Sequence, residues 1–308
     1  MILFSRRRRT AGRFANVDGI PFRMPVETRG SPALLAVYPI EPEGTRAVLP
    51  EELHPCRVRG KGLLVIAVVD YRDTTIGSYV EFCIGVLCTR GARPAPPLSP
   101  LLLGRAFGTG LYIYDLPVST EISVKGGLGI WGMPKRQANL DFVVGDTTVS
   151  SQYDLDGQIV MRVDVPRPAG AWLPLRFNGV GYGCFRGMLA KSSISLRGRM
   201  GVTLGGGPGS RLLIGDHERV AWLKGLGVPE ERPLLTAFIP SMRGTLDDHV
   251  ETWFLTSASR PPPPREGLDS VVGLGLSQDR LPPPDRVHSD RLLAARGTRE
   301  PIGRGVAS

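Results

Sequence analysis

GLLVIAVVDYRDTTIGSYVEFCIGVLC, residues 62–88, decides the fold. Two apolar runs, 62–71 and 79–88, flank a short polar stretch that contains Gly77. Each run has the length and the Val/Ile/aromatic content of a strand, and the turn lets the two pair as neighbours. Both alternating sets of side chains are largely apolar, so both faces are at least partly buried. Glu81 breaks the pattern. On strict alternation it shares a face with Cys83, Gly85 and Leu87, while Val80, Phe82, Ile84 and Val86 take the other. A carboxylate there faces a cavity, pairs with a cation or points to solvent, and the residues alone leave all three open.

Outward from this pair, SPALLAVYP (31–39) reads as a strand, with helical turns predicted at 43–49 and 51–53. Residues 91–100 form a proline-rich loop, and 108–115 a short strand. A short helix is predicted near Pro117, with Ser119 or Thr120 near its start and Glu121 in its first turn. Glycines 126, 127 and 129 are expected to end it. A loop then enters a strand at 138–144. Further strands are predicted at 146–151, 157–163, through 174–203 and at 210–214. Residues 217–226 give an amphipathic helix with Val220, Leu223 and Leu226 on one side. TAFIPSMRG and ETWFLTS are short later segments, and the prolines between Arg260 and Arg265 form a stiff surface loop. Strands do not alternate with long helices, which excludes a doubly wound sheet. The fold class is α+β, mainly antiparallel β. Residues 1–18 read as a disordered basic tail, 19–290 as one domain and 291–308 as a ragged C-terminal tail.

The 308 residues are 42% apolar and 22% charged, the balance of a folded domain with a substantial core. No apolar run reaches 18 residues, so no membrane span and no membrane partner are expected. The start, MILFSRRRRTAGRF, has the reverse order of a secretory signal, which points to the cytoplasm. The net charge of +9 includes Arg6 to Arg9. Basic patches with interleaved aromatics are missing outside the tail, so no nucleic-acid partner is expected. Cys56, Cys83, Cys88 and Cys184 are too scattered for a disulfide scaffold or close ligand pairs, and the four histidines are equally dispersed. No metal site is expected. The glycines of VTLGGGPGSRL (202–212) lack the spacing of a phosphate-binding loop.

Five of the 38 basic residues are lysines. One of them, Lys135, lies in GIWGMPKRQANLDF (129–142), after Trp131, Met133 and Pro134 and directly before Arg136. A free lysine amine has a pKa of about 10.4 and is almost wholly protonated at neutral pH. Burial in an apolar pocket and an adjacent cation both favour the neutral, nucleophilic form. Such an amine attacks a ketone to form a Schiff base, whose iminium draws electrons from the neighbouring carbon. Here Trp131 and Met133 supply an apolar wall, and Arg136 either repels the ammonium or binds a substrate carboxylate. In an extended segment Arg136 points opposite to Lys135, so that contact requires a bend. Taken alone, the pattern reads first as an ordinary exposed lysine. A cavity-facing Glu81 would move protons, with Tyr79 lining the same side.

Three blocks together resemble the acetoacetate decarboxylase family: YPIEPEGTRAVLPEEL (38–53), IGSYVEFCI (76–84) and WGMPKRQA (131–138). The resemblance runs over roughly residues 18–290. It implies a largely antiparallel β fold with a cone-shaped barrel around a deep apolar pocket, a homo-oligomer, and no metal or added cofactor. It implies Lys135 as the Schiff-base lysine, Glu81 as the strand glutamate and Arg136 where a second lysine often stands. Trp131, Met133 and Tyr79 would shape the pocket, and a pocket arginine would fall near Arg29. Leu128 and Gly129 replace a charged pair of the family, and a further pocket glutamate aligns near Ile66. The expected activity is that of a Schiff-base-forming lyase on a β-keto or 2-keto acid, by decarboxylation through Lys135. An aldolase-dehydratase using the same lysine and a noncatalytic small-molecule-binding module are the alternatives.

Overall fold

The runs 62–71 and 79–88 are antiparallel neighbours, in register from Leu64 opposite Val86 to Tyr71 opposite Tyr79. They belong to a computed structural model of the chain that describes residues 12–170, 172–185, 187–254 and 271–297. The strands of its first half are β1 (Arg13–Val17), β2 (Ile20–Met24), β3 (Val26–Ile40), β4 (Leu53–Pro55), β5 (Gly62–Tyr71), β6 (Asp73–Thr74), β7 (Tyr79–Arg90), β8 (Gly110–Val118) and β9 (Lys135–Gln137). The second half adds β10 (Asn139–Leu140), β11 (Val143–Val144), β12 (Thr148–Leu155), β13 (Gln158–Pro166), β14 (Leu173–Phe185), β15 (Met188–Leu204), β16 (Arg211–Ile214) and β17 (Leu235–Phe254).

Seven strands close into a ring in the order β7-β5-β3-β17-β15-β14-β8, because β8 pairs with both β14 and β7. Most neighbours are antiparallel. The pairings of β8 with β14 and with β9 are parallel. A second sheet, β10-β12-β13-β16 with β11 against β12, packs on one face of the ring. Strand alternation assigns the faces. Leu64, Ile66, Val68, Phe82 and Ile84 point towards the second sheet and meet Tyr153, Val160 and Val163. Fully burying each such large side chain contributes roughly 1.5–3 kcal/mol. Tyr79 and Cys83 point the other way. There they meet Ile113 and Leu116, and a short helical segment with the β1–β2 hairpin closes over them.

The helices are α1 (Pro42–Val48), α2 (Ser99–Leu102), α3 (Glu121–Gly126), α4 (Ala221–Lys224) and α5 (Val287–Gly297). Several expectations are corrected. Residues 13–17 are a strand whose Val17 is buried, so the N-terminal tail ends earlier than 18; Arg6 to Arg9 lie outside the described residues. The turn at 51–53 passes into β4 rather than forming a helix. TAFIPSMRG and ETWFLTS do not stay separate, since 235–254 is one strand. Residues 291–297 are helical, held where Arg162 reaches Ser289 and Asp290. The proline run after Arg260 lies outside the described residues.

The helix from Glu121 also does not stop at the glycines. It continues through Gly127–Trp131 as a π-helical turn and ends at Gly132, whose φ of 63° is the left-handed conformation of a C-cap. The glycines sit in this helix because neighbours press against it. A Cβ on Gly126 would lie 3.1 Å from the Phe22 ring, on Gly129 2.3 Å from Val17, and on Gly127 2.2 Å from the Lys135 side chain. Close approach outweighs the roughly 1 kcal/mol that each glycine costs a helix.

Candidate active site

Lys135 opens β9, opposite Leu116 of β8. Pro134 precedes it, and the Met133 carbonyl accepts its backbone N–H at 2.7 Å. The chain enters the strand directly from the π-helical turn, so the lysine stem lies across bare Gly127. The residue is only 2% exposed. Its Nζ stands 2.7 Å from Glu81 Oε2 and 5.1 Å from the centre of the Tyr79 ring. Glu81 thus lies on the Cys83 face that alternation gives it, and of the three open possibilities the structure shows the cation pair, with Lys135.

The surroundings are apolar. Tyr79, Cys83, Ile113, Leu116, Trp131 and Met133 belong to one buried cluster. Trp131 is fixed by its indole N–H, which donates to the Asp247 carbonyl at 2.9 Å. Tyr71 stacks on Tyr79 with ring centres 4.7 Å apart, and its hydroxyl donates to Glu81 Oε1 at 3.4 Å. Burial, reinforced by Glu81, holds both tyrosine hydroxyls well above the ordinary phenol range. Burial likewise pushes the Cys83 thiol up, with Glu81 adding to the effect and Lys135 opposing it. Cys83 therefore stays a thiol, a poor nucleophile. The Lys135 side chain is the candidate nucleophile of this cluster.

Arg136 is not beside that amine. It faces the second sheet, where its Nε reaches Asp115 Oδ1 at 3.4 Å. The same carboxylate is 3.6 Å from Arg219 and accepts the Tyr153 hydroxyl at 3.2 Å. Burial pushes the Asp115 carboxyl up, and Arg136, Arg219 and Tyr153 oppose the shift. Arg136 follows strand alternation, and no bend turns it back towards Lys135. Arg29 is also outside the cluster, with an exposed guanidinium 3.6 Å from Glu27. Ile66 faces the second sheet, fully buried, so a side chain at that position does not reach Lys135; its neighbour Ala67 packs on the lysine's cluster instead. Leu128 is buried in that cluster as well.

Tyr71, Cys83 and Gly127 join the candidate site in the folded chain, beyond the residues its motifs mark. The signal for Tyr71 was available, since pairing across the 72–78 turn sets it opposite Tyr79. Gly127 reads locally as a helix stop, and only the packed structure shows the lysine against it. Among the described residues, no three His, Cys, Asp or Glu side chains gather as metal ligands would.

The folded chain is similar to solved structures, two acetoacetate decarboxylases among them. One is an acetoacetate decarboxylase from Legionella pneumophila subsp. pneumophila str. Philadelphia 1, at 16% identity and a TM-score of 0.52, over 74% of this chain and 88% of that one. The other is a further acetoacetate decarboxylase, at 17% identity and a TM-score of 0.53, over 75% and 90%. At such identities the likeness shows the fold. No curated protein matches the chain. The sequence profile of the family described as acetoacetate decarboxylase matches residues 15–170, half of the chain, and takes in Glu81, the π-helical turn and Lys135 together. The chain belongs to the acetoacetate decarboxylase family.

Proposed function

We propose that the protein is a Schiff-base-forming lyase that decarboxylates a β-keto acid, or acts on a 2-keto acid, through an iminium on Lys135. One observation carries the reading: a buried amine paired with the carboxylate of Glu81 at 2.7 Å inside an apolar cluster. Glu81 accepts a proton from the Lys135 ammonium. The free amine adds to the ketone carbon, Glu81 returns the proton to the departing hydroxyl, and water leaves. The iminium then takes the electron pair of the breaking carbon–carboxylate bond, releasing carbon dioxide and leaving an enamine. A solvent proton relayed by Glu81 adds to the enamine carbon and regenerates an iminium, and water then hydrolyses it to the free ketone and the lysine ammonium. The apolar wall favours loss of the charged carboxylate, since charge is poorly solvated there. Tyr79 and Tyr71 hold the amine and carboxylate in place, and Trp131 and Met133 shape the substrate space. Arg136 has no contact with the reacting atoms in this scheme and serves the Asp115 cluster. The assembly is proposed to be a homo-oligomer, which sedimentation tests.

Product analysis with a panel of β-keto and 2-keto acids tests the reaction. Carbon dioxide release that disappears in K135M supports the proposal. Condensation of a 2-keto acid with an aldehyde, without carbon dioxide, would move the same lysine to aldolase-dehydratase chemistry. Ligand binding without turnover by the wild-type chain, retained in K135M, would make the protein a binding module.

A further inference from the structure

The loop between β7 and β8 has no part in the site around Lys135. It carries Leu98, Leu101, Leu102 and Leu103 at its tip, 48%, 50%, 83% and 60% exposed. Leu101 and Leu102 lie on the single turn of α2, and Leu98 before it has a φ of 66°. The tip is held from within. Thr109 bonds Pro100, and the Leu98 N–H meets the Arg57 carbonyl at 3.5 Å. Four exposed leucines on a braced loop are therefore a built surface, and an apolar cluster of this kind marks an interaction site.

Its charge says what it meets. Exposed Arg93 and Arg105 flank the leucines, and exposed Arg57 and Arg59 stand on the adjoining segment. Neither residues 53–61 nor residues 90–110 contain a single Asp or Glu. Glu43 lies across a groove from this rim and shares it with Arg46, His54 and Arg57. An apolar tip inside a collar of guanidiniums fits an anionic lipid surface, where leucines enter the headgroup–acyl boundary and arginines meet phosphates. A tip of four protruding side chains is convex, whereas a protein partner would have to supply a matching groove.

We infer that the β7–β8 loop docks the protein on anionic membranes. This reverses the expectation of no membrane partner, which rested on the lack of a spanning segment; no helix among the described residues is long and apolar enough to cross a bilayer, and surface docking needs none.

Co-sedimentation of the full chain with phosphatidylcholine vesicles, and with vesicles containing one quarter phosphatidylglycerol, tests the inference at low and high salt. Two variants, L101S/L102S/L103S and R93Q/R105Q, are compared with one in which Arg6 to Arg9 are replaced by Gln, because that basic stretch also attracts anionic lipid. Melting curves verify that each is folded. The expected result is binding to the anionic vesicles only, weakened at least tenfold by either loop variant in the presence of the intact Arg6–Arg9 stretch. Absence of binding, or binding lost only with Arg6–Arg9, would overturn it. So would a leucine variant that dissociates an oligomer of the wild-type chain, since the tip would then be an interface between copies.

Discussion

Gly127 and Lys135 are eight residues apart in sequence and in contact in space, with a Cβ on the glycine falling 2.2 Å from the lysine Cδ. The amine reaches Glu81 only because that surface is bare. A methyl group in G127A must displace the lysine stem, and imine formation is expected to slow by about tenfold or more, since small misplacement of a reacting group is expensive. The Lys135–Glu81 pair makes a second prediction. Removing one member of a buried pair leaves an uncompensated charge, at about 3–5 kcal/mol, whereas replacing both is far less costly. K135M and E81Q should each lower the stability in urea, and the double variant should be more stable than the sum of the two losses allows. Strictly additive losses would mean that the two side chains do not interact. In turnover, E81Q should lose about 10²-fold or more as a proton relay.

The π-helical turn with its glycines is the element that joins fold to site. Gly129 faces Val17 and Gly127 faces Lys135, so the two positions should separate stability from chemistry. G129A is expected to lower stability by about 1–3 kcal/mol through overpacking against β1, with imine trapping per folded molecule unchanged. Thermal melts alongside trapping distinguish this from G127A, where trapping itself falls. The strands β5 and β7 were legible because two ten-residue runs rich in Val, Ile and aromatics flank a polar turn, and the two-residue period of a strand then sorts their side chains onto two faces. The helix end was not legible. Glycine reads locally as a breaker, and nothing in the sequence announces that Phe22, Val17 and Lys135 arrive to fill the space. The N-terminal strand β1 was lost for a related reason: beside the Arg6–Arg9 run it looks like part of a tail, and its burial comes from contact with this same turn.

Across the whole molecule, the ring and the second sheet divide the charges between two interiors. Lys135 and Glu81 occupy one, and Arg136, Asp115 and Arg219 the other. Adjacent residues on β9 therefore serve different cores, a division that alternation foretold and that the family motif obscured. R136Q should destabilise the protein by a few kcal/mol while leaving trapping by the folded fraction intact. The second sheet also carries a pH-sensitive site. Burial pushes the Asp154 carboxyl up to about 6, with Asp141 and Asp285 adding to the effect and the Gln152 hydrogen bond opposing it. A raised carboxyl favours the folded state at low pH and loses that contribution as pH rises through about 4 to 6. D154N keeps an oxygen for Gln152 and removes the titration. Its melting temperature relative to wild type should rise between pH 4 and pH 7, and a difference that is flat across that range would contradict the assignment.

The chemistry proposed for this protein turns on a covalent imine at the Lys135 amine. Borohydride reduction of the full chain in the presence of a keto-acid panel, read by intact and peptide mass spectrometry, tests it most directly. A reduced adduct is expected on the peptide containing Lys135, absent from K135M. A folded wild-type protein that gives no adduct across the panel, or gives one on Lys125 or another lysine, would contradict it.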